Sequence, residues 1–191
     1  MSVAGIILAA GESRRMGFPK AMLRYRDETF LDTLVGLFAT RCAPVIVVLG
    51  AHADRIRERV VRPASFVFNE DYQRGMTSSL QCGLRALPPD AESVLFTLVD
   101  HPSVAPATID ALLRPSDALV RVPRHGGRRG HPIWFSSHLS PEFLELPETC
   151  AARDVVRAHA AQTEFLDLDD PGILADIDDP AAYGKLTGAT L

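Results

Sequence analysis

The chain has few cysteines. Cys42, Cys82 and Cys150 are the three in 191 residues, an odd number with no C-x-x-C pair. That pattern excludes a disulfide scaffold and a thiolate zinc site. Cys42 and Cys82 fall in helical apolar patterns and read as small buried hydrophobes. No apolar stretch approaches the ~20 residues needed to span a bilayer, so no membrane association is expected. A signal-peptide plan is missing too, because the first apolar run is short and leads directly into a glycine-rich loop; the cytoplasm is the expected location. Nor is there a positive excess: 20 Lys and Arg stand against 24 Asp and Glu, for a net charge of −4. A nucleic-acid binder usually shows the opposite balance, so nucleic acid is excluded as a partner. Internal repeats and low-complexity segments are absent. The length suits one domain, residues 1–191, at the usual ~100–200 residues per domain.

What is there is a core-forming composition, 47% hydrophobic and 23% charged. Apolar runs predict strands at residues 3–8, 45–49, 65–68, 93–98, 118–122, 131–135 and 164–168. Helical patterns lie at 29–40, 53–61, 77–86, 106–113, 137–145, 151–160 and 180–186. Thr77 reads as an N-cap and Pro106 as a first-turn residue. Segment 121–129 reads as a loop or strand margin. Uninterrupted runs such as Val45-Ile46-Val47-Val48-Leu49 predict a sheet covered on both faces. Together these give an α/β class with a mostly parallel, doubly wound sheet in three layers.

The most informative stretch follows the first strand. Residues 8–20 read L-A-A-G-E-S-R-R-M-G-F-P-K. Glycines permit positive φ and close backbone approach, and successive amides in such a turn form an anion-binding concavity. Arg14, Arg15 and Lys20 add fixed positive charge that a polyphosphate neutralises. The loop matches neither the Walker spacing nor G-x-G-x-x-G.

Four further segments carry chemistry. Asp100 directly follows a buried run, and ligands of open α/β sheets bind beyond the carboxyl ends of strands. A carboxylate there suits Mg²⁺, which takes oxygen ligands and substrate phosphates. Gly75-Met76-Thr77-Ser78-Ser79-Leu80 opens a helix whose N-terminus offers free amides and a positive dipole end. Near the C-terminus lies the acidic string Asp176-Ile177-Asp178-Asp179-Pro180. Arg124, Arg128 and Arg129 flank Gly126-Gly127 in a basic loop that could clamp a phosphate.

These stretches resemble the MobA-like nucleotidyltransferases, and among them the molybdenum cofactor cytidylyltransferases (MocA-like). L-A-A-G-E-S-R-R-M-G-F-P-K is similar to that family's opening, and Asn69–Leu80, Leu98–Val104, Gly130–Ser136 and Asp176–Tyr183 follow in the family's order. Asp179 and Ala182 depart from the usual D-I-D-T-P-x-D, which leaves the start of the flanking helix open. Val99 and His101 depart from the usual acidic motif, so the pocket there is expected to differ locally.

The resemblance implies a Rossmann-like nucleotidyltransferase that moves CMP from CTP to molybdopterin cofactor, with Mg²⁺, releasing pyrophosphate. It implies nucleotide contacts from Ala9, Ala10, Gly11, Glu12, Ser13, Arg14, Gly75, Thr77, Ser78 and Ser79. Lys20 and Arg15 are the implied catalytic cations. Asp100 and Asp178 are the implied metal ligands, with Asp176 in reserve. His101, Gly130, His131 and Pro132 are the implied acceptor contacts. A molybdoenzyme or its chaperone is an implied partner. An L-A-A-G opening goes with cytidylyl transfer and L-A-G-G with guanylyl transfer, so GTP, or a sugar or alditol phosphate acceptor, is the alternative. A non-catalytic delivery partner is the alternative from another class.

Overall fold

The computed structural model describes residues 2–147 and 149–188. Strand β1 is Val3–Ala9, and all seven of its residues are buried. That suits a central strand covered on both faces. Arg24–Tyr25 (β2) and Glu28–Thr29 (β3) form a small antiparallel hairpin that no sequence pattern had indicated. Helix α1, Phe30–Ala39, is capped by Thr29, whose hydroxyl accepts from the Asp32 amide at 3.0 Å. Then come β4 (Val45–Leu49), α2 (Ala53–Arg59), β5 (Ser65–Phe68) and α3 (Met76–Arg85). β6 (Ser93–Leu98) and α4 (Pro106–Leu112) complete the parallel half. β7 (Val120–His125), β8 (Arg128–Arg129), β9 (Ile133–Ser136), α5 (Ser140–Leu144) and α6 (Ala152–Ala158) follow. The last elements are β10 (Thr163–Asp167) and α7 (Pro180–Thr187). No helix among the described residues is long and apolar enough to cross a membrane.

The main sheet runs β10-β7-β9-β6-β1-β4-β5, with β8 paired to β7. β1 is parallel to both β4 and β6, while β9 is antiparallel to its neighbours. Alternation divides the core between the two faces. Ile7, Val47 and Leu95 pack with α1, α2 and α4, and Ile6, Val48 and Phe96 with α3, α5 and α6. The sheet thus forms the middle of three layers, as the sequence predicted.

Three local expectations are corrected. Segment 121–129 is a hairpin: Gly126 and Gly127 both have positive φ (56° and 78°) and join β7 to β8. Two consecutive glycines in that region suit a two-residue hairpin turn. The N-cap of α3 is Gly75, not Thr77, whose hydroxyl donates instead to the Cys150 carbonyl at 3.0 Å. Residues 137–145 divide into a 3₁₀ turn (Ser137–Leu139) and α5. The start of α7, left open by Asp179 and Ala182, is ordinary: the Asp179 carboxylate accepts from the Ala182 amide at 2.8 Å. Cys42 lies just past α1, with burial pushing its thiol up to about 12, and Cys82 is only half-buried.

Between β10 and α7 the chain crosses the carboxyl ends of the strands as a strap. Buried Asp170 fastens it, accepting from the Ala105 amide (2.9 Å), the Thr108 hydroxyl (2.6 Å) and the Gly172 amide (2.9 Å). Gly172 lies so close to the Ser103 carbonyl that a Cβ would fall inside contact distance. Backbone cannot yield as a side chain can, so Gly172→Ala should lower stability by about 1–3 kcal/mol in urea unfolding. Gly36→Ala should cost less than about 1 kcal/mol, since its Cβ meets only the end of the Arg62 side chain and alanine favours helix. Equal midpoints for the two variants would contradict this account of the strap.

Candidate active site

The strand order reverses beside β1, with β4 on one side and β6 on the other. Such a switch point opens a crevice beyond the carboxyl ends of the strands. Two segments enter it: residues 10–20 after β1, and Val99-Asp100 after β6.

The first loop is shaped by Ser13, at φ 55°, and Gly17, at φ 70°. The Ser13 carbonyl accepts from the Met16 and Gly17 amides, both at 3.0 Å. Its hydroxyl accepts from the Lys20 amide at 3.1 Å. Ser13 therefore folds the loop and aims Lys20. Among the described residues, the amides of Gly11, Glu12, Ser13, Arg14 and Arg15 find no acceptor within the protein. Consecutive free amides in a turn attract anions.

The loop borders a cleft of about 350 Å³ whose lining includes Ala9, Ala10, Gly11, Ser13, Arg14 and Arg15 on one side. Lys20, Asp100 and Asp178 form its base, and Tyr72, Gly75, Met76 and Ser79 its other wall. Tyr72 comes this close because Gly50 has no side chain; a Cβ there would sit 2.6 Å from Tyr72 Cβ and 2.8 Å from the Ala10 carbonyl.

Charge concentrates at the base. Lys20 Nζ donates to Asp100 Oδ2 at 3.0 Å and to Asp178, and Arg15 donates to the second oxygen of Asp178. Asp176 completes the cluster: one oxygen from each of Asp100, Asp176 and Asp178 lies within 4.8 Å of the others. Burial pulls the Lys20 ammonium down, but Asp100 and Asp178 outweigh it and raise it overall. The Lys20 hydrogen bond holds Asp178 below the usual carboxylate range. Burial, followed by Asp100 and Asp178, pushes Asp176 up. Three carboxylates thus face two cations, and the buried Oδ1 of Asp100 has no hydrogen-bond partner. This oxygen-only set with an orphaned acceptor fits a divalent cation.

A MobA-like NTP transferase domain matches residues 5–163. The chain belongs to that family. Membership makes this MobA-like chain a nucleotidyltransferase. A molybdenum cofactor cytidylyltransferase of Escherichia coli K12 is 29% identical over 182 residues, covering 92% of this chain and 90% of the relative. A probable molybdenum cofactor guanylyltransferase of Mycobacterium avium is 35% identical over 118 residues, 59% of this chain and 57% of the relative. The Mycobacterium tuberculosis protein Rv0371c, solved in complex with manganese, superposes with a TM-score of 0.79 at 26% identity, covering 100% of both chains.

Most residues singled out from the MobA-like sequence meet in this cleft, but several do not. Glu12 is outside the lining and pairs with exposed Arg14. Ser78 also turns away, donating to the Gly75 carbonyl (2.8 Å) and the Asp71 carbonyl (3.0 Å) and accepting from Asn69. With Thr77 bonded to Cys150, only Gly75 and Ser79 of that tetrad line the cleft. Tyr72 and Met76 were missed; an aromatic and a methionine flanking Gly75 were the available signal. Arg124 and Arg128 flank the hairpin turn, and Arg124 pairs with Asp167 at 2.6 Å.

Gly130 and His131 border a second cavity of about 320 Å³. His101 and Pro132 line neither cavity; both are buried, with His101 Nε2 lying 3.7 Å from Asp100 Oδ1. Gly130 also has a packing role, since a Cβ there would strike the Ile173 backbone of the strap. The His101 and His131 rings are 5.0 Å apart, and the Nδ1 atom of each is buried without a partner. Burial lowers His101 below its ordinary value despite Asp100. Burial, then His101, lowers His131 from 6.5 to about 4.

A depressed histidine is neutral in the native state while the unfolded chain takes up its proton. His131 should therefore cost stability as pH falls from 6.5 toward about 4, by up to about 3 kcal/mol, and nothing above 6.5. His131→Gln should remove that part of the acid loss, read from urea midpoints at about pH 7 and about pH 4.5. Identical pH slopes for the two proteins would refute it.

Proposed function

We propose that this protein transfers CMP from CTP to the phosphate of molybdopterin cofactor, releasing pyrophosphate and forming the cytosine dinucleotide cofactor. The observation that carries the reading is the contact of Lys20 and Arg15 with Asp100 and Asp178 at the base of a loop with free amides. An acceptor phosphate oxygen attacks the α-phosphorus, the α–β bridging bond breaks, and its electrons leave on pyrophosphate. Nucleotidyl transfer of this kind requires positioning and charge neutralisation more than a covalent side-chain step. The attacking oxygen is already an anion, so no strong general base is needed.

In this reading the amides of residues 11–15 bind the triphosphate. Lys20, held by its Ser13 contact, meets charge moving onto the leaving group, with Arg15 beside it. Gly75 and Ser79 contact the nucleoside, and the neutral His131 borders the acceptor. Asp100 and Asp178, with Asp176, would hold Mg²⁺, which when bound neutralises phosphate oxygens and lowers the cost of bringing two anions together. The manganese complex of Rv0371c supports a divalent cation in this fold.

CTP is favoured over GTP on two grounds. Among relatives matched over about nine-tenths of their own length, the Escherichia coli cytidylyltransferase is 29% identical and the probable guanylyltransferases of Mycobacterium ulcerans and Mycobacterium marinum are each 27% identical, a small difference in favour of CTP. Ala10 also borders the cleft and is almost fully buried, so its Cβ takes space that glycine would leave to a larger base. Pyrophosphate release with each NTP, with and without molybdopterin cofactor, tests the assignment. CTP should be preferred, and Ala10→Gly should narrow the preference; equal or better use of GTP by the unaltered protein overturns the cytidylyl assignment.

Lys20 should act on the transition state more than on binding, since leaving-group charge is greatest there. Lys20→Ala should slow single-turnover transfer by ~10²–10³, the scale for losing one preorganised electrostatic donor. CTP binding should weaken much less, because the loop amides remain. A variant impaired only in CTP affinity would show that Lys20 is a binding residue.

A further inference from the structure

The second cavity differs chemically from the first. Its apolar surface comes from Phe96, Ile133 and Phe135 of the sheet and from Leu80 and Val156 of α3 and α6. Arg129, Arg153 and Arg157 stand at its edge, and no acidic side chain lines it. The nucleotide cleft, in contrast, has Asp100 and Asp178 at its base. Such a volume lies in the range of small-ligand sites.

Polar contacts hold its wall in place. The Gln81 side-chain amide reaches the carbonyls of Phe143 (3.1 Å), Leu144 (3.2 Å) and Leu146 (3.0 Å) at the end of α5. One turn earlier, Thr77 secures Cys150 just ahead of α6. The first turn of α6 closes on itself, the Ala151 amide donating to Asp154 at 2.8 Å. The helix then presents Arg153 and Arg157 four residues apart, on one face.

The three arginines are not equally committed. Arg129 lies over the Phe165 ring at 4.5 Å, and Arg157 makes an exposed pair with Asp154 at 3.3 Å, a weak kind of contact. Arg153 has no carboxylate partner among the described residues. Its charge is free for a ligand, and a guanidinium fork binds a planar anion through two parallel hydrogen bonds. Met76, 46% exposed, lines both cavities, so a molecule in the second has one end at the nucleotide cleft.

We infer that this cavity seats the body of the acceptor, a flat heterocycle carrying an anionic group of its own, with Arg153 binding that group and Arg157 and Arg129 supporting it. The inference rests on the transfer reading above for the word acceptor. The attacking phosphate then projects past Met76 toward Lys20, while the ring system lies on Phe96 and Phe135. Arg153 is a specificity-determining residue in this arrangement and takes no part in the bond changes.

Pterin-6-carboxylate, a flat fluorescent heterocycle with one anion and no phosphate, is a suitable probe. Titrated into the full chain, it should bind saturably, with at least ~10-fold weaker binding to Arg153→Ala and partial recovery in Arg153→Lys. Val156→Trp, which fills the cavity without removing charge, should also weaken it. CTP affinity should remain unchanged in all three, which also shows that they are folded. Lys20→Ala should bind the probe normally. Absence of saturable binding to the unaltered protein overturns the inference, as does unweakened binding to both Arg153→Ala and Val156→Trp. Loss of probe binding in Lys20→Ala overturns it too, by placing the probe in the nucleotide cleft. A protein that binds the probe through Arg153 but binds no CTP upholds the cavity and overturns the transfer reading alone.

Discussion

The Lys20 ammonium holds together parts of the chain separated by 80 residues (Asp100) and 158 residues (Asp178). The end of the first loop, the end of a central strand and the C-terminal strap all meet at this one cation. Lys20 is largely buried, with 11% of its side chain exposed, and Asp100 is similarly enclosed at 15%. Removing one partner from the Lys20–Asp100 pair leaves the other charge uncompensated in a largely enclosed place. The same enclosure suits charge-moving chemistry, because groups already desolvated and oriented need little reorganisation when charge shifts.

This meeting depends on the absence of side chains elsewhere. Gly50 admits Tyr72 to the cleft wall, and Gly130 and Gly172 let the strap lie directly on neighbouring backbone. Asp170 then fixes the strap by three hydrogen bonds to a buried carboxylate. Between Asp176 and Asp178, the Ile177 amide donates to the Asp100 carbonyl at 3.1 Å, which brings both carboxylates to the end of β6.

The two cavities differ electrostatically. The first combines cations with carboxylates, as suits a polyanion accompanied by a divalent cation. The second combines apolar walls with arginines and neutral His131, as suits a ring system with a separate anion. Helix α3 is common to both: its first turn borders the first cavity, while Gln81 and Thr77 hold the far wall of the second.

The sequence by itself determined the three-layer class, the central buried strand, the glycine-rich cationic loop after it, and the placing of Lys20, Asp100 and Asp178 as candidate site residues. These are local properties: periodicity sets burial, and a carboxylate directly after an apolar strand must emerge at its end. It also led to the family, through a long uninterrupted motif. Thr77 and Ser78 show where local reading stops, since a hydroxyl at a helix start suits a cap, a ligand or a distant carbonyl equally well. Only the packed fold turned them to the Cys150 carbonyl and to the Gly75 and Asp71 carbonyls. Tertiary structure alone decided that Asp176 joins the acidic cluster and that Arg153 and Arg157 share a cavity with Gly130 and His131. Those juxtapositions link residues far apart in the chain, and they follow from which backbones can approach closely enough to touch.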